Sequence, residues 1–384
     1  APYAALVNGT LIHGIEFDDT HIAAVVHASA PVLAAALASA ELCEASGSRF
    51  ITAAAYGMEL ACRLGILVDG KMHGRGFHPT SIFGSFGCAL AASILANATE
   101  NQIVSVLGLC GSMSSGILES AGSWLKKMHP GWAALSGITA AALAVAGFSG
   151  PAPVFEGNRG LFRSHTGSVP EQLSSVAEKW DEHWEITNIA LKTYPCCHFT
   201  HAFIECALAL RNEIGHRLHP DEVIRITCKI HEATVPAVFE PRELKTKPRN
   251  PAEAMFSVPF IAAYALVHGR VNLDTFYGGH LDDSDIIALA NKIFWEPDPA
   301  STYPLHFPGE MKIVLADGRT LHRRIDILPG ESENPLSFEQ IAAKFRTNVS
   351  GIITERQAER IMDCVLHLEQ YPIAQLTSLL KTEC

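Results

Sequence analysis

At 384 residues the chain is long enough for two domains, and a composition of 48% hydrophobic and 18% charged residues is that of a well-buried globular protein. A net charge of −11 argues against nucleic acid as a partner, because phosphate binding needs a basic face; an anionic small molecule stays open, since Lys, Arg and His gathered in a cleft can reverse the local sign. Ten scattered cysteines with no CxxC pair make zinc or iron–sulfur ligation a weak reading and point to a reducing, cytoplasmic setting.

The chain opens into APYAALVNGTLIHG without an initiator Met, which reads as the middle of a protein and predicts a segment before Ala1. There is no signal peptide, lipidation motif or run of about 18 apolar residues, so no membrane partner is expected. Residues 1 to about 150 are dominated by Ala, Gly, Leu, Ile and Ser. Pro31 suits the first turn of a helix over PVLAAALASAELCEASG, and Gly47 suits its stop. Further helices are predicted over 50–64, 83–97, 101–121 and 133–146, with small residues letting them approach closely. No alternating pattern competes, so this half reads as an all-α bundle. FSGPAPVFEGNRG (148–160) is a Gly/Pro-rich break followed by a short helical segment.

After about residue 190 the pattern changes. EVIRITCKI (222–230) alternates with period two, as a half-buried strand does, and MKIVLADGRTLHRRIDI (311–327) reads as a hairpin around Asp317-Gly318. Helices near 198–213, 252–268 and 282–293 complete an α+β segment. From Ser337 the chain is helical again, through SFEQIAAKF and TERQAERIMDCVLHLEQ. The predicted fold is mainly α: a large all-helical domain from 1–188, a smaller α+β domain from 189–335, and helices from 336–384 that return to the first domain.

Four segments concentrate chemistry. HGIEFDDTHIAAVVHAS carries His13, Glu16, Asp18, Asp19, Thr20, His21 and His27; so dense a polar run among apolar helix formers suits either a metal site or a proton-transfer site, or a loop whose aspartates cap the next helix. In KMHGRGFHPTS, Gly74 and Gly76 bracket Arg75 so that a loop presents a cation and His78. WLKKMHPGWAA places Lys126 and Lys127 in an apolar helix, to orient a carboxylate or to reach solvent. LKTYPCCHFTHAF sets Lys192 before a Tyr-Pro, and its Cys196-Cys197-His198 run also admits a thiol nucleophile. Walker, GxGxxG, GxSxG and HExxH motifs are missing, which removes most nucleotide, hydrolase and zinc-protease readings.

Taken in order, NGTLIHGIEFDDTH, the HAS triplet before Pro31, GFHPTSIFGSFGCALAAS, KKMHPGWAALSGITAAALA, GFSGP, LKTYPCCHFTH and AMFSVPFIAAYAL resemble the MmgE/PrpD family over essentially the whole chain. That family includes 2-methylcitrate dehydratase, cis-aconitate decarboxylase and iminodisuccinate epimerase. The resemblance implies a helical domain with an inserted α+β lid, an interdomain active site, a homodimer, further helices before Ala1, and catalysis without metal or organic cofactor. It assigns catalytic roles to His27, His78, Lys192 and Thr20; substrate contacts are expected from Glu16, Asp18, Arg75, Lys126 and Phe260. Three departures stand out: HAS for the usual HPS, Met255 where Lys is common, and Phe260 where decarboxylase-like members have Tyr. The expected function is a lyase that dehydrates a small polycarboxylate such as 2-methylcitrate. The alternatives are an epimerase of an iminodisuccinate-like acid, an inactive dimeric scaffold, and a metal-dependent hydrolase using Asp18, Asp19, His21 and His27.

Overall fold

Residues small enough for backbones to touch set the packing of the first part of the chain. The computed structural model describes residues 1–120 and 123–381. It clusters into one unit of Ala1–Gly14, Asp18–Ala190 and the segment from Leu336, and a second of Ile15–Phe17 and Leu191–Pro335. The first unit begins with α1 (Pro2–Gly14), strand β1 (Thr20–His21), α2 (Ser29–Leu42), α3 (Gly47–Ile66), the short α4 (Lys71–Gly74), α5 (Pro79–Leu95), α6 (Glu100–Cys110), α7 (Trp124–Val145), α8 (Leu161–Thr166) and strand β2 (Ile189–Ala190). All of α5 except Leu90 and Ile94 is buried, because α2, α3, α6 and α7 pack around it. At the α3–α5 crossing a Cβ on Gly57 would lie 2.7 Å from the carbonyl oxygen of Gly87, so neither helix tolerates a side chain there. The α1–α7 crossing is built in the same way: a Cβ on Gly9 would lie 2.8 Å from the Cα of Gly131.

A buried ion pair ties the chain after α8 to this bundle. Glu59 and Arg63, one turn apart on α3, meet at 2.6 Å. The Arg63 guanidinium donates to the carbonyls of Val176, Glu178 and His183, and Glu59 Oε2 accepts from the backbone N–H of Ile186 at 3.0 Å. This holds β2 in place to pair antiparallel with β1, Thr20 opposite Ala190.

The second unit holds α9 (His201–Ile214), β3 (Val223–Ile230), α10 (Val235–Val238), α11 (Arg242–Thr246), α12 (Pro251–Ala254), α13 (Val258–His268), α14 (Leu273–Tyr277), α15 (Ser284–Ala290), β4 (Ile293–Pro297), β5 (Gly309–Leu315) and β6 (Thr320–Ile325). Its sheet runs β4-β3-β5-β6, with β3–β4 parallel and the other pairs antiparallel. Met311, Ile313 and Leu315 alternate inward along β5, toward α9. Helix α13 is buried from Val258 to Val267, consistent with its apolar residues all round. After this unit α16 (Phe338–Val349), α17 (Glu355–Leu366) and α18 (Ile373–Leu379) belong to the first unit. Ser337 caps α16 through a reciprocal bond with Gln340.

The described chain is thus mainly α-helical with a two-stranded pair and a small four-stranded mixed sheet, and several boundaries differ from expectation. The helix expected to 121 ends at Cys110, where a turn leads to Gly116 at φ 144, and residue 121 lies outside the described residues. The helix expected from 133 starts nine residues earlier, at Trp124, and runs through Pro130. The helices expected over 252–268 and 282–293 contract to α12 with α13 and to α15, and β4 follows α15. The first half also contains the β1–β2 pair, so it is not purely α. Among the described residues no helix is long and apolar enough to cross a membrane.

Gly131→Ala should force α1 and α7 apart and lower stability by about 1–3 kcal/mol, the usual range for overpacking. Thermal unfolding checks this; an unchanged melting temperature would contradict the close crossing.

Candidate active site

Four imidazoles and one carboxylate form a polar centre in the first unit, each brought by a different piece of chain. His13 ends α1, Asp18 follows in the loop before β1, His27 precedes α2, His78 precedes α5, and His129 lies in the second turn of α7. His13 Nδ1 lies 2.6 Å from Asp18 Oδ2, with neither side chain in contact with solvent. A ring nitrogen bonded to a carboxylate is the one that carries the proton, so Nε2 of His13 is the acceptor nitrogen; it is buried without a hydrogen-bond partner. His27 Nδ1 lies 2.6 Å from the carbonyl oxygen of Asp19, 3.3 Å from Thr20 Oγ1 and 3.7 Å from Asp18 Oδ2, which places its proton on Nδ1 too. The backbone N–H of His27 donates to Thr80 Oγ1 in the first turn of α5 at 3.1 Å. Asp19 takes a different part: its Oδ1 accepts from the N–H of Ser29 at 3.2 Å and caps α2, whose N-cap position is Ala28.

His78 and His129 meet through their Nδ1 atoms at 2.9 Å. The ring centroids of His13 lie 5.0 Å from those of His27 and 6.0 Å from those of His78, and His78 lies 5.0 Å from His129, so the four rings form a continuous array. Burial, then the Lys126 ammonium, then the other three histidines hold His78 well below the usual imidazole range. Burial, followed by His13 and Lys126, brings His129 down to about 4. Both rings are therefore neutral at pH 7. Lys126 is half-buried, and its charge also lowers His73 after burial does. Lys127 is buried, with its ammonium 4.5 Å from the centroid of the Trp124 ring.

In the second unit Lys192, 1% exposed, donates to the carbonyl oxygen of Glu16 at 3.0 Å and pairs with its Oε2 at 3.7 Å. Glu16 holds this geometry at φ 54, in the left-handed region. Cys196 is fully buried against Thr200, and burial pushes its thiol up to about 12, so it stays protonated and is no nucleophile at neutral pH. Phe260 and Met255 lie in the apolar core of this unit, both without solvent contact. In the first unit Arg75 is exposed at the end of α4.

The structure therefore brings Asp18, Thr20, His27 and His78 together, with Lys126 close enough to act on His78, and pairs Glu16 with Lys192. It seats Phe260 in a core and leaves Arg75 at the surface. His13 and His129 are the members to which the sequence assigned no catalytic or binding role. His13 stood in a recognised cluster, but no pattern in the sequence announces a contact between residues 78 and 129.

His13, Asp18 and His27 each offer a ligating atom, all within 4.8 Å of one another, so the donor types suit a metal ion. The 2.6 Å separation of His13 and Asp18 is that of a shared proton, however, and a tetrahedral ion with bonds of about 2.0 Å would have to push these atoms apart. His21 is engaged elsewhere, accepting from Ala24 N–H at Nδ1 and reaching Glu185 at 3.2 Å through Nε2. The four-residue set of a metal-dependent hydrolase is thus not assembled around Asp18.

Comparison with known proteins places this geometry in context. Residues 1–173 match the family model of the MmgE/PrpD N-terminal domain and residues 194–370 that of the MmgE/PrpD C-terminal domain. The chain is 28% identical to a cis-aconitate decarboxylase-like protein of Aspergillus oryzae, over 99% of this chain and 82% of that protein. It is 29% identical to cis-aconitate decarboxylase of Homo sapiens, over 99% of this chain and 79% of the other. To 2-methylcitrate dehydratase of Escherichia coli it is 24% identical, over 50% of this chain and 42% of the other.

The lowered pKa of His129 gives an acid-stability prediction. Between pH 6.5 and about 4 the unfolded chain binds a proton at this ring that the folded chain does not, so stability present above pH 6.5 is lost as the pH falls through that window. Urea midpoints at pH 7 and pH 5 should drop more for the wild type than for His129→Asn; an equal drop would mean that the buried imidazole is not what acid attacks.

Proposed function

The chain belongs to the MmgE/PrpD family, and from that premise and the histidine array we propose that it is a lyase acting on a small polycarboxylate by proton transfer at a carbon beside a carboxylate. The observation that carries this reading is the His13–Asp18 bond: the carboxylate fixes the tautomer and stabilises the imidazolium that forms when Nε2 takes a proton. A carbon acid next to a carboxylate is hard to ionise because the product gathers negative charge, and a fixed cation lowers that barrier. Lys126, half-buried and acting on His78 and His129, supplies such a cation in the first unit. Lys192 is a buried cation of the same kind in the second unit.

Dehydration of a 2-methylcitrate-like hydroxy acid uses both functions that the array offers. His13 Nε2 removes the C–H proton, the electron pair forms the alkene, and a proton from His78 leaves with the hydroxyl as water. Decarboxylation of a cis-aconitate-like acid is the second reading, supported by likeness over 99% of the chain to the decarboxylases against 50% to the dehydratases. There, carbon dioxide leaves and the same acid protonates the carbon.

Proton NMR in heavy water with 2-methylcitrate, citrate, cis-aconitate and iminodisuccinate tests both. Alkene formation identifies a dehydratase, a shortened deuterated product a decarboxylase, and deuterium uptake without either an epimerase. His13→Ala and His78→Ala should each slow the reaction by about 10²–10⁴-fold. Silence of the folded wild type across the panel would sink the proposal.

A further inference from the structure

A neutral imidazole is an awkward acid. If His78 gave its Nε2 proton to a leaving group unaided, it would become an imidazolate in a buried setting; if it took a proton unaided, it would become an imidazolium beside Lys126, the state that burial and that ammonium oppose. The bond to His129 removes both difficulties. Two Nδ1 atoms 2.9 Å apart must share a proton, because two bare nitrogens would repel and two N–H groups would clash. With both rings neutral, one ring carries its proton at Nδ1 and the other at Nε2, so the two outer nitrogens are always in opposite states.

We propose that His78 and His129 act as a tautomeric proton relay, in which His129 is the positioning and proton-supplying partner through which His78 exchanges protons with solvent while both rings stay neutral. This rests on the lyase reading above and names how its acid is recharged. In the acid direction, the His78 Nε2–H bond breaks as its proton passes to the leaving group. The His129 Nδ1 proton moves to His78 Nδ1, and His129 Nε2 takes a proton from solvent water. In the base direction each transfer is reversed, and no net charge remains on the pair in either case. Both rings are buried, His78 at 4% and His129 at 5% exposed.

The fold fixes the pair from both sides. The backbone N–H of His78 donates to Gly116 at 3.0 Å, and its carbonyl accepts from Ser81 and Ile82 in the first turn of α5. The carbonyl of His129 accepts from Ser81 Oγ at 3.3 Å, so one serine spans both segments. The charged and titratable groups acting on the two rings are His13 from α1, His27 from the loop before α2, and Lys126 from α7. Asp18 lies against His13 at 2.6 Å and His27 at 3.7 Å, and so supports the other two rings of the array.

The test is nitrogen-15 NMR of the whole protein labelled at histidine, at pH 7 without substrate, with signals assigned by His78→Asn and His129→Asn. The relay requires two neutral rings of opposite tautomer with a scalar coupling across the shared N–H···N bond. An imidazolium at either ring, or two rings of like tautomer, overturns it. This readout needs no turnover, so opposite tautomers in a protein silent toward every acid would leave the pairing intact and fail only the lyase reading. Where turnover is measured, His129→Asn separates relay from mere support, since an amide bonds His78 Nδ1 but cannot pass a proton through. The relay predicts a fall of about 10²-fold or more for both His129→Asn and His129→Ala. Recovery of most activity in the asparagine variant would show that His129 only positions its neighbour and would overturn the relay.

Discussion

The hydrogen bond between His13 and Asp18 is the constraint on which the first unit's polar centre depends. A carboxylate with no solvent contact is tolerable only where donors surround it, and Asp18 has His13 at 2.6 Å and His27 at 3.7 Å. In return it gives two histidines a fixed negative neighbour, while His78 and His129 have Lys126 instead. A carboxylate thus stands beside one end of the array and an ammonium acts on the other. That asymmetry sets an imidazole backed by a carboxylate apart from a pair of neutral rings that has to pass a proton on.

The packing explains how so polar a set is held inside a bundle of alanine and glycine. The rings arrive from α1, the loop before α2, the residue before α5 and the second turn of α7, so their spacing is set by how closely those helices approach. Gly9 against Gly131 brings α1 onto α7, and therefore His13 toward the helix that carries Lys126 and His129. The β1–β2 pair, anchored through Glu59 and Arg63, fixes Thr20 beside His27. The small residues that make the sequence look featureless thus set the distances between the reactive groups.

Much of this was legible in the residues and some was not. Period-two alternation in 222–230 and the Asp317-Gly318 turn correspond to β3 and to the β5–β6 hairpin, because half-buried strands and tight turns leave local marks. Helix α7 begins nine residues before the start predicted at 133, because tertiary packing against α1 and α5 carries the helix through Pro130 and Gly131. Strand β4 left little trace, being five residues long and parallel to its neighbour. The polar run from His13 to His27 was visible as a cluster, but which of its members meet depends on chain reversal after α1. Asp19 turned to cap α2, His21 turned to Glu185, and Asp18 went to His13. The approach of His129 to His78 spans 51 residues and arises only from α5 packing on α7.

The measurement that tests the central claim most directly is the rate of C–H exchange or alkene formation in heavy water for Asp18→Asn, with circular dichroism and thermal unfolding showing that the variant is folded. An asparagine nearly preserves shape but cannot stabilise an imidazolium at His13. The account predicts a folded protein whose proton transfer is slower by about 10²–10⁴-fold. A folded Asp18→Asn protein that turns over at the wild-type rate would contradict it.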